Sequence, residues 1–307
     1  MNITRNKSFK NWVLLFAAAV LIQFSCLRLD DNLYNISDKI SQYKFDDYSG
    51  EQDFILDNNF KIQDTMRHLF NIQSKGEKDD KSYNLFALYL GDIRRIKTDT
   101  VIMYCHGNKW HMDFYWQRAK LMAHIGSKHR YGVLMIDYRG YGLSEGEPSE
   151  DGLYADVTSA LNWLKANGLT NDRLIMYGFS MGTAPATKLT AHPDAMIPSK
   201  LVLEAPFASA AVMAADAGGL NLPGSYITNL KISNAEEIKL VNQPFLWMHG
   251  TGDNFLSIKT HGEVVFKNYH GVSGTAERVT GADHGEVPEK MGFDKYLQVM
   301  RTFIAGK

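Results

Sequence analysis

Gly178-Phe179-Ser180-Met181-Gly182 is preceded by Arg173-Leu174-Ile175-Met176-Tyr177 and followed by Thr183-Ala184-Pro185-Ala186-Thr187-Lys188-Leu189. The first flank is a short apolar run and reads as a buried strand. The second opens with small residues and continues in a helical pattern, apart from an early proline. A serine in G-x-S-x-G between a strand and a helix occupies a sharp turn in strained backbone geometry, with its Oγ exposed at the edge of a sheet. The flanking glycines let strand and helix approach where a Cβ would obstruct. Alone the pentapeptide is a weak signal, so its partners decide the reading.

Downstream lies an acid and then a base. Pro244-Phe245-Leu246-Trp247-Met248-His249-Gly250 reads as another buried strand and leads into Thr251-Gly252-Asp253-Asn254. An aspartate in a glycine-rich loop just past a strand can accept a bond from an imidazole. Further on, Glu277-Arg278-Val279-Thr280 precedes Gly281-Ala282-Asp283-His284-Gly285, a histidine among small residues in a loop. Ser180, Asp253 and His284 fall in the order serine, acid, histidine, which differs from the chymotrypsin and subtilisin orders. In this reading His284 removes the Ser180 proton, while Asp253 fixes its tautomer and stabilises the imidazolium. Glu204, at the end of an earlier strand, is the rival acid, and Asp283 is expected only to orient its loop.

Upstream, Val101-Ile102-Met103-Tyr104-Cys105 ends in His106-Gly107-Asn108-Lys109. Such a loop can aim a backbone N–H at a tetrahedral intermediate, beside the N–H of the residue after the nucleophile. The expected oxyanion donors are therefore Met181 and Asn108. Loss of one such donor typically costs ~10²–10³ in turnover. Trp110, Phe114 and Tyr115 follow directly. They read either as packing of the next helix or as the wall of a substrate pocket.

These motifs resemble those of the α/β-hydrolases, in the Bem46-like, serine aminopeptidase-like branch. The likeness rests on Cys105-His106-Gly107-Asn108, on Asp137-Tyr138-Arg139-Gly140-Tyr141-Gly142-Leu143-Ser144-Glu145-Gly146, on Gly178–Gly182, on His249-Gly250-Thr251-Gly252-Asp253 and on Asp283-His284. Pro148 to Tyr154 also resembles the start of a helix in that branch. Two departures bear on substrate analogy. Lys109-Trp110-His111 is bulky where small residues are usual, and Thr183 stands where a second glycine often follows the serine. The resemblance implies an acyl-enzyme mechanism on carboxylic esters or thioesters, with lipidic or hydrophobic acyl groups, and with peptidase activity as the alternative. A non-catalytic envelope lipoprotein that uses the fold as a binding module is the competing class.

The rest of the chain is consistent with one large α/β domain. It has 307 residues, 45% of them hydrophobic, and a formal net charge of −1, which gives no electrostatic reason to expect nucleic acid. Met66–Ile72 and Tyr83–Leu90 would form an antiparallel start of the sheet. Val101–Cys105, Tyr131–Asp137, Arg173–Tyr177, Lys200–Glu204, Phe245–His249 and Ala276–Val279 complete the strands. Phe114–Ile125 is helical, and Leu153, Val157, Ala160, Leu161 and Leu164 recur at helical spacing. The expected fold is a mostly parallel eight-stranded sheet with helices on both faces and a short cap, about 206–240. Catalytic loops at the carboxyl ends of the strands fit such a sheet. Asp137, Arg139 and Ser144 read as bonding a turn near the site, and the histidines show no metal-ligand spacing, so no metal or other cofactor is expected.

At the N-terminus, Arg5, Lys7 and Lys10 precede an apolar stretch from Trp12 to Ile22 that ends near Ser25-Cys26. The stretch is shorter than the ~20 apolar residues of a bilayer span and fits a secretory signal. Cys26 suggests a bacterial lipoprotein signal over 1–26, with this cysteine lipidated and the chain in the cell envelope, membrane-attached. A plain signal or an uncleaved anchor is the alternative. Residues 27–61 read as a polar, acidic tether, and 62–307 as the catalytic domain.

Overall fold

A computed structural model describes residues 33–76, 81–126, 131–218 and 228–306. The signal at 1–26 with Cys26, residues 27–32 of the expected tether, and Leu220–Pro223 of the expected cap lie outside the described residues. Among the described residues no helix is long and apolar enough to cross a membrane.

Eight strands form one sheet: β1 (Arg67–Lys75), β2 (Ser82–Leu90), β3 (Thr100–Cys105), β4 (Tyr131–Ile136), β5 (Leu174–Phe179), β6 (Lys200–Glu204), β7 (Phe245–Gly250) and β8 (Gly274–Val279). Their order across the sheet is β1-β2-β4-β3-β5-β6-β7-β8. Strand β2 runs antiparallel to both β1 and β4, and the remaining pairs are parallel. This is the α/β-hydrolase fold expected from the sequence.

The central strands are apolar through their middles because both faces are covered, and period-2 geometry divides their side chains between two cores. Val101, Met103, Leu174, Met176, Leu201 and Leu203 face one way, into the cluster that holds α2 (Glu150–Ala166) and α3 (Thr183–Ala191). Ile102, Tyr104, Ile175, Tyr177 and Val202 face the other, against α1 (Trp116–Ala123) and α8 (Phe293–Ala305). Helix α2 begins where Ser149 Oγ accepts from Gly152 N, with Glu150 and Asp151 in the first turn. It ends before Gly168, whose φ is 88°.

The segment 33–61, expected as a tether, is instead a strap packed on the domain. Phe45, Phe54, Leu56 and Ile62 are buried in the second core with Trp116 and Tyr296. Polar side chains of the domain satisfy its backbone: the Asp113 carboxylate accepts from the N–H groups of Lys44 and Phe45, and Gln117 Oε1 accepts from Leu56 N. The acids that suggested solvation are used as anchors. Asp46 accepts from Trp116 Nε1 and Lys120 Nζ. The reading failed because Phe45, Phe54 and Leu56 are too irregularly spaced to sustain a period of 2 or 3.6, although all three are buried in the second core.

After β6 the cap region contributes α4 (Ala210–Gly218) and the short α5 (Asn234–Glu237). Asn234 Nδ2 ties the latter to Thr183 Oγ1 and to the Phe207 carbonyl.

Candidate active site

Ser180 has φ 52°, in the left-handed region that a non-glycine residue enters only at a cost. The turn is held from both sides. A Cβ at Gly182 would fall on the Cys105 carbonyl, so β3 and the residues after the serine meet at a distance that only glycine allows. Thr183 Oγ1 donates to the Ser180 carbonyl at 2.6 Å and fixes the first helical turn. The result is a serine at the carboxyl end of β5, about 4% exposed, with Oγ 2.8 Å from His284 Nε2.

His284 Nδ1 lies 2.8 Å from Asp253 Oδ2. A carboxylate oxygen only accepts, so Nδ1 carries the proton and Nε2 is left to accept from the Ser180 hydroxyl. Asp253 Oδ1 accepts from the N–H groups of Phe255 and Leu256. Burial alone would raise the Asp253 carboxyl, but hydrogen bonds from His249 and His284, the charge of His284 and the Leu256 N–H outweigh it. They hold it well below the usual carboxylate range.

His249, the second-last residue of β7, is a second donor to this carboxylate. Its Nε2 is 3.1 Å from Asp253 Oδ2 and 2.9 Å from the Leu256 carbonyl, two acceptors that place the proton on Nε2. Trp247 Nε1 approaches His249 Nδ1 at 3.4 Å, consistent with that tautomer. The sequence held a signal for this: His249 and Asp253 are four residues apart at the end of one strand.

The rival acid is engaged elsewhere. Glu204 receives Arg118 Nη2 at 2.9 Å, Tyr296 Oη at 3.2 Å and also Tyr177 Oη. Burial pushes its carboxyl up against the pull of Arg118. Of the two candidates, Asp253 alone combines contact with His284 and a stabilised negative charge. Asp283 accepts from Asn254 N and from its neighbour His284 N, which holds two loops together.

Gly107 brings the 106–109 loop against the serine, since a Cβ there would meet Ser180 Cβ at 3.3 Å and Tyr115 Oη at 2.8 Å. Tyr115 Oη accepts from Lys109 N at 2.9 Å, which commits that N–H and leaves Asn108 as the donor candidate in the loop. The loop is also clamped by the strap: Asn35 N donates to the Asn108 carbonyl, and Trp110 N donates to the Asn35 carbonyl, at 3.1 and 2.8 Å. Beneath it, His106 Nε2 lies 3.2 Å from Asp137 Oδ1, and Tyr43 Oη of the strap donates to Asp137 Oδ2 at 2.6 Å. Ser144 Oγ donates to the Asp137 carbonyl, and Arg139 pairs with Asp156, so the 137–144 turn is braced as expected.

A cavity of about 760 Å³ opens over Ser180 and His284. Phe114, Tyr115 and Phe179 give it an aromatic floor, while Glu51, Asp53, Lys109, Asp283 and Glu286 give it a charged wall. Trp110 is not one of the lining residues; its ring meets Phe114 edge-on at 5.4 Å. Of the three aromatic residues considered for a pocket, Phe114 and Tyr115 line it. Part of the wall comes from the strap, through Tyr34, Asn35, Glu51, Gln52 and Asp53, rather than from the described part of the cap.

Comparison with known proteins agrees with this architecture. Residues 96–242 match the family described as serine aminopeptidase, S33. The chain is 31% identical over 206 residues to the alpha/beta hydrolase domain-containing protein aho-3 of Caenorhabditis elegans, covering 66% of this chain and 57% of that protein. It is 27% identical over 213 residues to the alpha/beta hydrolase domain-containing protein 17B of Homo sapiens, covering 66% of each. The chain therefore spans somewhat less than two thirds of the length of either relative. Among solved structures, the Pyrococcus furiosus esterase Pf2001 aligns with a TM-score of 0.61 at 17% identity, over 79% of this chain and 94% of that one. Est1E from Butyrivibrio proteoclasticus aligns at 0.57 and 16% identity, over 77% and 99%. At these identities the two structures speak for the fold alone.

Proposed function

We propose that this chain, whose fold is that of the α/β-hydrolases and whose residues 96–242 match the family described as serine aminopeptidase, S33, is a serine hydrolase cleaving carboxylic esters or thioesters through an acyl-enzyme. The observation that carries this reading is the continuous line from Ser180 Oγ to His284 Nε2 and from His284 Nδ1 to Asp253, at 2.8 Å for each step.

In the proposed reaction His284 takes the Ser180 proton as Oγ bonds to the substrate carbonyl carbon. The carbonyl π electrons move onto oxygen, and the N–H groups of Met181 and Asn108 receive that oxyanion. Collapse of the tetrahedral intermediate expels the alcohol or thiol, which leaves with the proton held by His284. Water then repeats the sequence on the acyl-serine: His284 accepts its proton, the acid is released, and Ser180 recovers its hydrogen. Asp253 stays ionised throughout and stabilises the imidazolium.

A second reading has specific support. The matched family is described as an aminopeptidase, and carboxylates at Glu51, Asp53, Asp283 and Glu286 line the cavity beside the single lining ammonium of Lys109. Glu51 and Asp53 are already paired with Lys109 and Arg118, so Asp283 and Glu286 are the carboxylates that a substrate ammonium would meet. Parallel assays on p-nitrophenyl esters and aminoacyl p-nitroanilides separate the two.

The first test is covalent labelling with a fluorophosphonate probe. The wild type should label and Ser180→Ala should not; a folded wild type that stays unlabelled would put the binding-module reading ahead. We also propose that residues 1–26 are a signal and that Cys26 is lipidated, attaching the chain to a membrane of the cell envelope. Metabolic labelling with a palmitate analogue, lost in Cys26→Ser, is the expected result, and an unlabelled wild type would remove the lipid.

A further inference from the structure

Three observations converge on Arg118. Its side chain is buried, and Nη2 reaches Glu204 Oε1 at the end of β6 (2.9 Å), the Gly285 carbonyl (3.0 Å) and Asp53 Oδ2 of the strap (3.3 Å). Its guanidinium carbon lies 4.0 Å from the centroid of the Phe179 ring. Arg118 thus touches the residue before Ser180 and the residue after His284, and a third contact comes from a segment that precedes the whole sheet in sequence.

Asp53 also packs directly on the histidine loop, because a Cβ at Gly285 would fall on its carboxylate. The strap holds the opposite side of the cavity as well, through the paired backbone bonds of Asn35 with Asn108 and Trp110. One segment therefore borders both the loop proposed to receive the oxyanion and the loop that carries the base.

We propose that Arg118, oriented by Asp53, is a positioning residue that sets His284 against Ser180, so that the strap is a working part of the hydrolytic site. The inference rests on the hydrolase reading above. The physical reason is the rigidity of guanidinium: its N–H groups are fixed in a plane, so the carboxylates set against Nη2 dictate where its two N–H groups point. The two N–H groups of Nη2 go to Glu204 Oε1 and the Gly285 carbonyl, and the Asp53 carboxylate, 3.3 Å from the same nitrogen, holds that charged end beside the histidine loop as an ion pair. Burial alone would lower the Arg118 guanidinium, but the two carboxylates raise it, so the donor stays charged. Without Asp53 the guanidinium can rotate toward Glu204, and the backbone next to His284 loses its tether.

Arg118 is central to the core and its replacement could unfold the protein, so Asp53 is the better handle. The test compares the full chain with Asp53→Ala, Asp53→Asn and Asp46→Ala. The last removes the strap's bonds to Trp116 and Lys120, outside the cavity. Two quantities are read on each: kcat and KM on a p-nitrophenyl ester, and amide hydrogen exchange at 283–286. Asp53→Ala should lower kcat at least ~10-fold while KM moves less than about 3-fold, because misplacement of a reacting group costs rate rather than binding. Exchange at 283–286 should accelerate in parallel. Asp53→Asn, which keeps the shape and one acceptor, should recover part of both, and Asp46→Ala should leave both as in the wild type.

Unchanged kcat and exchange in Asp53→Ala would overturn the proposal. So would an equal loss in Asp46→Ala, which would reduce the strap to general packing. A wild type that neither turns over esters nor takes up fluorophosphonate would sink the hydrolase reading instead. The exchange data would then still decide whether Asp53 holds the His284 loop.

Discussion

At the scale of single residues, the two buried acids at strand ends show how environment assigns roles. Glu204 ends β6 and Asp253 follows β7, but the partners of Asp253 are imidazole and amide donors and those of Glu204 are a guanidinium and two phenols. Replacing Asp253 by Asn should lower kcat by ~10³–10⁴, since the imidazole loses the charge that fixes its tautomer. Steady-state kinetics with the probe ester read this directly. The same carboxylate has a consequence for stability. Its folded-state value is held below the ~3.9 of an unfolded aspartate, so its contribution is complete above that pH and disappears as pH falls through the folded value. The gap in urea midpoint between wild type and Asp253→Asn should be constant from pH 7 to about 5 and narrow steadily below about 4. A gap that widens on acidification would mean that the carboxylate is not stabilised by folding. Ser180, Asp253 and His284 were legible because each sits in a short local motif. Arg118 was not, because its partners at 53, 204 and 285 meet only in three dimensions.

Elements tell the same story at longer range. The places of the strands in the chain, and of the candidate catalytic loops after them, could be read from short apolar runs bounded by glycine, because a strand covered on both faces is apolar and only about four to eight residues long. Bounds shifted by one to three residues where pairing, rather than composition, decides the end: β5 runs on to Phe179 and so delivers Ser180 directly from the strand. The turn at Ser180 depends on close approach, so Gly182→Ala should be severely destabilising even though the change is one methyl group. Its Cβ meets a backbone carbonyl of β3, which cannot rotate away as a side chain could. Thermal unfolding should show either loss of the transition or a large drop in midpoint, together with loss of fluorophosphonate labelling. A variant with native midpoint and labelling would mean that β3 and the turn can separate. Strained turns of this kind are held by their surroundings rather than by local preference.

Taken whole, the molecule is larger than its sequence motifs implied, because the strap belongs to it. Phe45, Phe54 and Leu56 are buried in the second core, and side chains of this size contribute ~1.5–3 kcal/mol each when removed from water. A chain beginning at residue 62 should therefore aggregate or bind apolar dyes, and should not label. Limited proteolysis of the longer protein should leave 33–61 uncut under native conditions, where a solvated tether would be cleaved first. Rapid cleavage within 40–56 would contradict the packed strap. Composition concealed this element. Its acids are interspersed among its apolar residues, and Asp46, Glu51 and Asp53 are paired with Lys109, Trp116, Arg118 and Lys120 of the domain, contacts that no local pattern announces.

The point where the strap begins has a further consequence. Tyr34 lines the cavity and Asn35 pairs with the loop beside Ser180, so the first described residues of the strap stand at the rim of the cavity. Cys26 and Leu33 are seven peptide steps apart, a leash of at most ~25 Å at the ~3.3–3.6 Å that each residue can span. A lipid on Cys26 would hold the mouth of the cavity inside that radius of the bilayer. Turnover would then follow the density of ester in the surface rather than its concentration in the surrounding water. On vesicle-borne ester, the lipidated protein should outrun its Cys26→Ser form, and on a soluble ester the two should be indistinguishable. The reach of the chain, with no change in the chemistry of the site, would decide which acyl groups the enzyme ever meets.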